Sequence, residues 1–132
     1  MTTTTERGVV LTIPGVCPSV NALMAGRLRE RIRAKNEWWE ATYFTWLEAG
    51  RPKFLEPVTV EVRIYFPTRR KRDWPNFAAG GVKVIIDALV GIDCLECGDD
   101  DDALDMQRPT MLYDRENPRV ELTIREREDS QP

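Results

Sequence analysis

The chain contains no histidine. That absence removes the commonest general base, together with the usual serine and cysteine triads. Cysteine is scarce too, at three in 132 residues. Cys94 and Cys97 have the spacing of a zinc or redox pair. Zinc asks for about four ligands and only Cys17 remains, so free thiols are expected. No apolar run approaches the roughly 18 residues of a membrane-spanning helix. Met1 to Glu6 also lacks the charged-then-apolar pattern of a secretory leader. A cytoplasmic protein without a membrane partner is the expectation. Asp99 to Asp102 is not a calcium loop, because the alternating aspartates, glycine and distal glutamate are missing. Any catalysis must rest on carboxylates, lysine or a metal.

What is present is globular: 42% hydrophobic and 31% charged residues. The length implies one domain over residues 1–132, with 1–8 and 127–132 as flexible tails, near the size where dimerisation often helps. Net charge is −3, which by itself disfavours a polyanionic partner. The distribution of that charge points the other way. Glu96, Asp99, Asp100, Asp101, Asp102 and Asp105 hold six negative charges, and the rest of the chain is left at +3. Arg27, Arg29, Arg31, Arg33 and Lys35 face only Glu30 among the anions of their segment. Local sign matters more than the total.

The hydrophobic pattern predicts a strand over Val9 to Ile13, ended by Pro14-Gly15, then an irregular segment through Pro18-Ser19-Val20-Asn21. The basic stretch from Arg27 to Lys35 reads as loop or helix. Asn36 is the expected N-cap of a helix to about Ala49, stopped by Gly50 with Pro52 beyond. Trp39, Tyr43, Trp46 and Leu47 share one face of that helix, a spacing that favours core or a dimer interface over base stacking. Val58, Val60, Val62, Ile64 and Phe66 alternate with polar residues and predict a half-buried strand. Gly80-Gly81 breaks the chain before a helix from about Val82 to Val90. A strand interrupted or bent at Pro109 is expected between Leu104 and Tyr113, and Val120, Leu122 and Ile124 mark a terminal strand. The order predicts an α+β fold, a small mixed sheet covered by two main helices.

The chemistry-bearing residues concentrate between Arg69 and Asp102. Arg69, Arg70, Lys71 and Arg72 run straight into Asp73-Trp74-Pro75-Asn76. Lys83 and Asp87 follow one helical turn apart, and Asp99 to Asp102 closes the segment. Cations beside carboxylates that share a divalent metal suit an enzyme acting on a phosphate backbone. Each part also has a plain reading. Asp73 would cap a turn or helix with Pro75 near its first position, Lys83 and Asp87 would form a surface pair, and the aspartates would be a solvated loop. The apolar neighbours Val84, Ile85, Ile86 and Leu89 argue that Lys83 and Asp87 instead face a cleft.

In this order the motifs resemble the RusA-type Holliday junction resolvases. They begin with Leu11-Thr12-Ile13-Pro14 and Pro18-Ser19-Val20-Asn21 and include Arg69-Arg70-Lys71-Arg72-Asp73, Asn76 and Lys83 to Leu89. The aspartate run and the final Arg119-Val120-Glu121-Leu122-Thr123-Ile124 complete them. The resemblance spans most of residues 9 to 126. It implies a homodimeric, Mg²⁺-dependent endonuclease, with Mn²⁺ as a substitute ion, cutting four-way DNA junctions in recombination and repair, often of phage or prophage type. By the same resemblance Asp73, Lys83, Asp87 and Asp101 are catalytic, and Asp73, Asp87, Asp100 and Asp101 hold metal. Asn76 and the cations Arg69, Arg70, Lys71, Arg72, Arg27, Arg29, Arg31, Arg33 and Lys35 contact DNA. Pro75 stands where the family has its second aspartate. Which two residues of Asp99 to Asp102 align is open, Asp100 and Asp101 being favoured because they leave Leu104 in the apolar phase of the next strand. The rival expectations are a branched-DNA-binding protein with a degenerate metal site, and an acidic interaction protein.

Overall fold

The computed structural model describes residues 4–5, 8–96 and 104–127. Its strands are β1 (Thr4–Thr5), β2 (Gly8–Pro14), β3 (Val58–Phe66), β4 (Leu104–Met106), β5 (Thr110–Tyr113) and β6 (Arg119–Glu126). The helices are α1 (Val20–Leu23), α2 (Leu28–Glu48), α3 (Trp74–Ala78) and α4 (Gly81–Gly91). One mixed sheet runs β1-β2-β6-β3-β4, and β5 also pairs with β3. β6 is antiparallel to both β2 and β3, whereas β4 and β5 are parallel to β3.

Register follows from burying one face. The pairings Val9–Ile124–Val60, Leu11–Leu122–Val62 and Ile13–Val120–Ile64 make three apolar rows across β2, β6 and β3. All nine side chains are almost fully buried. A slip of one residue would turn such a set to solvent, so the alternation fixes the pairing. Trp46 of α2 and Ile85, Ile86 and Leu89 of α4 cover these rows. α2 packs on α4 and on β2. The mixed sheet under two main helices is the architecture read from the hydrophobic pattern.

Two local expectations are corrected. The second helix does not begin at Asn36; it begins at Leu28, with Arg27 as its N-cap, and Asn36 lies exposed inside it. Gly26 turns the chain at φ +82°, and the Glu30 carboxylate accepts the Arg27 N–H at 2.7 Å. This contact starts the helix well before Asn36, in a stretch that buries little. The basic stretch is therefore helical. Pro18 to Asn21 is not wholly irregular, because Ser19 caps α1 by accepting the Ala22 N–H at 3.1 Å. The strand expected between Leu104 and Tyr113 is interrupted at Pro109, as its sequence implies, leaving β4 and β5 on either side. Gly50 does stop α2, at φ +92°.

The chain between β3 and β4 carries most of the candidate site residues. β3 ends at Phe66, the segment 67–73 crosses to α3, and α3 packs on α4. α4 is held at its start by Gly80 and Gly81, where the Gly81 N–H donates to the Pro18 carbonyl at 2.9 Å. No helix among the described residues is long and apolar enough to cross a membrane.

Candidate active site and nucleic-acid interface

Lys83 and Asp87 project from the exposed side of α4, whose Val82, Ile85, Ile86, Ala88 and Leu89 are buried. Lys83 Nζ lies 3.2 Å and 3.3 Å from the two carboxylate oxygens of Asp87. The pair is both an ordinary i, i+4 contact and part of a groove of about 750 Å³. Leu104, Asp105, Met106, Arg127 and Ala78 of α3 also line it. Asp105 and Arg127 are the functional candidates that the sequence pattern does not reveal. Asp105 is legible only as the outward position of a three-residue strand, and Arg127 falls in the expected tail.

Asp73 and Asn76 line a different groove, of about 560 Å³, with Val20, Arg72, Trp74, Pro75 and Ala79. Each groove is large enough for a nucleotide-sized group. The expected set is thus divided into two neighbouring grooves. α3 contributes to both: Trp74, Pro75 and Asn76 line the Asp73 groove, with Ala79 just beyond the helix, and Ala78 lines the Lys83–Asp87 groove. Asp73 stands at the N-cap position of α3 with Pro75 in the first turn, as the plain reading expects. Its carboxylate makes no capping hydrogen bond, so it is left to face solvent beside the basic segment.

Asp100 and Asp101 lie outside the described residues, as do Asp99, Asp102 and Cys97. The described chain resumes at Leu104, a wall of the Lys83–Asp87 groove. Among the described residues no three acidic or thiol groups cluster around a common point. The described carboxylates are Asp73 in one groove and Asp87 with Asp105 in the other. Mg²⁺ is often held by one or two carboxylates, waters and substrate phosphates, so two carboxylates in one groove fit its chemistry.

The basic segment is not uniform. Arg72 folds back, donating to the Thr68 carbonyl at 3.1 Å and to Thr68 Oγ1 at 2.9 Å, with its guanidinium 3.9 Å from the Phe66 ring centroid. Burial, then the neighbouring Arg70 charge, pull its pKa below the ordinary arginine value. Arg69 lies 4.5 Å over Tyr113. Arg70 and Lys71 point to solvent. On α2, Arg27, Arg29, Arg33 and Lys35 are exposed and Arg31 is half-buried. α1 packs on both α2 and α3, and its Val20 lines the Asp73 groove. The tryptophans of α2 differ: Trp46 is buried and Trp38 packs against the core, as helical spacing implies for Trp46, whereas Trp39 is exposed and stacks on Tyr43 at 6.0 Å.

A second charged cluster is architectural. Arg119 lies 3.8 Å over Tyr65 and donates to Asp114 at 2.7 Å and Glu121 at 2.8 Å. Arg119 in turn holds the Asp114 carboxyl below its usual range, helped by the Asn117 and Glu116 N–H groups. It pins the β5–β6 turn to β3.

No protein-family model matches the chain, and no curated protein matches it. Among solved structures, the periplasmic domain of Helicobacter pylori MotB is similar at a TM-score of 0.37 and 12% identity, over 96% of this chain and 85% of that one. A likeness that weak carries no argument.

Proposed function

We propose that the chain is a Mg²⁺-dependent, structure-specific endodeoxyribonuclease acting on four-way DNA junctions, as its resemblance to the RusA-type resolvases implies. The observation that carries the reading is a pair of grooves that both take lining residues from α3. One holds an uncapped carboxylate, Asp73, at the end of a basic segment, and the other holds Lys83, Asp87 and Asp105.

The residues that would hold Mg²⁺ are Asp73, Asp87, Asp100 and Asp101, with Asp105 added by the shared groove. When bound, the ion supplies Lewis-acid stabilisation of charge on the phosphate being cleaved. Lys83 holds that phosphate through its ammonium, leaving Asp87 as the incoming anion takes its place, an electrostatic role that needs no proton transfer. Arg70, Lys71 and the exposed cations of α2 hold neighbouring phosphates without reading sequence. A two-fold homodimer would match the symmetry of a junction and set two sites for paired cuts.

A non-catalytic branched-DNA-binding protein is the second reading. Pro75 in place of a carboxylate, and the division of Asp73 from Asp87, favour it. One experiment separates the two. A labelled synthetic junction and a linear duplex are incubated with the protein in Mg²⁺ or EDTA, alongside Asp73→Asn. Symmetric, metal-dependent nicks in the junction alone, lost in the variant, support the nuclease. Tight junction binding without cleavage under any metal supports the binding protein. Absence of binding at low salt sinks both.

A further inference from the structure

Among the described residues four arginines lie over aromatic rings, and they divide into two kinds. Arg119 on Tyr65 also holds Asp114 and Glu121, and Arg72 on Phe66 donates to Thr68 over a buried ring. Those two are spent on the fold. The other two are open. Arg108 lies 5.7 Å from the Trp74 ring centroid and Arg69 lies 4.5 Å from that of Tyr113. Trp74 is 39% and Tyr113 40% exposed, high for rings of that size. Among the described residues neither Arg69 nor Arg108 is ion-paired to a carboxylate.

The two open pairs sit at opposite ends of β5. Arg108 precedes the strand and Tyr113 is its last residue, five positions on. At about 3.3 Å per residue that is roughly 16 Å, more than a single base can cover. The pairs therefore bracket β5, and the exposed Arg70 and Lys71 lie in the chain between Arg69 and Trp74. Trp74 also lines the Asp73 groove.

We propose that Trp74 with Arg108, and Tyr113 with Arg69, are two stacking stations for unpaired bases of single-stranded DNA. This deepens the nuclease reading and rests on it only for DNA as the ligand class. Exposed rings accept any base face, and the guanidiniums add cation–π contact and phosphate neutralisation. Bases in an intact duplex are already stacked on each other, so the stations select strands that are open or branched. Charge complementarity fits the same partner, because the segment from Arg69 to Arg72 is cationic within an acidic protein. If the pairs only pinned segment 67–73 to the sheet, their loss would lower stability without changing strand preference.

The test is anisotropy of a labelled oligo-dT of about 12 nucleotides, and of a duplex of equal length, titrated in EDTA with the full chain. Trp74→Ala and Tyr113→Ala should each weaken single-strand binding about tenfold, while Trp74→Phe and Tyr113→Phe stay within about threefold. Duplex binding should change by less than about threefold in all four. Arg108→Gln, which leaves both rings in place, should weaken oligo-dT binding and flatten its salt dependence. Wild-type protein that fails to bind oligo-dT overturns the proposal. So does an equal loss of single-strand and duplex affinity in the alanine variants. Junction cleavage without oligo-dT binding sinks the stacking stations alone. The expected oligo-dT pattern without junction cleavage sinks the nuclease alone and leaves the stations standing.

Discussion

Asp73 sits where an aspartate normally stabilises a helix, yet its carboxylate makes no capping bond. A group not used by the fold can be removed at little structural cost. Asp73→Asn should leave the urea midpoint within about 0.5 kcal/mol of wild type, as exposed substitutions usually do. Junction cleavage should fall about a hundredfold or more, the scale of losing one group that stabilises transition-state charge. Wild-type cleavage by this variant would remove the Asp73 groove from the mechanism. Cys17 presents the opposite case, a polar group wholly taken up by the fold. Burial pushes its thiol from 9.0 up to about 12, against the Val82 and Gly81 N–H groups, which pull it down. Between pH 9 and about 12 the unfolded chain therefore releases a proton that the folded chain keeps. Stability is whole below that window and is lost as pH rises through it, by up to about 1.4 kcal/mol per pH unit from this group. Urea unfolding at pH 8, 9 and 10 should show a steeper decline for wild type than for Cys17→Ala. Parallel declines would mean that Cys17 ionises freely.

At the scale of elements, the start of α4 depends on close backbone approach. A Cβ on Gly80 would lie 2.6 Å from the Pro18 carbonyl oxygen and 2.8 Å from the backbone of Ser19 and Val20. Backbone cannot rotate aside as a flexible side chain would. Gly80→Ala should cost about 1–3 kcal/mol in the urea midpoint, and it should also move Lys83 and Asp87 relative to β4. A variant as stable as wild type would show that the 17–20 segment yields easily. The same region shows how far sequence pattern reaches. Val58 to Phe66 is readable to the residue, because alternate burial imposes alternate chemistry. Lys83 and Asp87 are readable as groove-facing, because the other positions of α4 are apolar. The start of α2 is not, since its first half buries so little that no apolar phase marks it, and Asn36 imitates a cap. The division of Asp73 from Lys83 is hidden as well. It depends on the five residues of α3 lining two grooves, whereas sequence distance suggests one site. Asp105 and Arg108 enter only through strand pairing and ring contacts that join distant segments.

For the whole molecule, a net charge of −3 would on its own repel DNA. At physiological ionic strength exposed charges are screened beyond about 8 Å, so a phosphate responds to its nearest cations rather than to the total. The geometry says which cations those are. Arg72 is folded onto Phe66 and Thr68, and Arg69 rests on Tyr113, while Arg70 and Lys71 are exposed in the same segment. Binding of a four-way junction in EDTA should therefore weaken steeply from 50 to 200 mM salt, which are about the usual limits for reading such a slope. The double variant Arg70→Ala, Lys71→Ala should lower the slope of log affinity against log salt by about 1.8, roughly 0.9 for each phosphate contact. Arg72→Ala should instead lower the melting temperature, with a smaller change in slope, because its cation is engaged within the protein. A salt slope near zero would mean that the acidic total governs after all, and that the basic segment serves the fold rather than a polyanion.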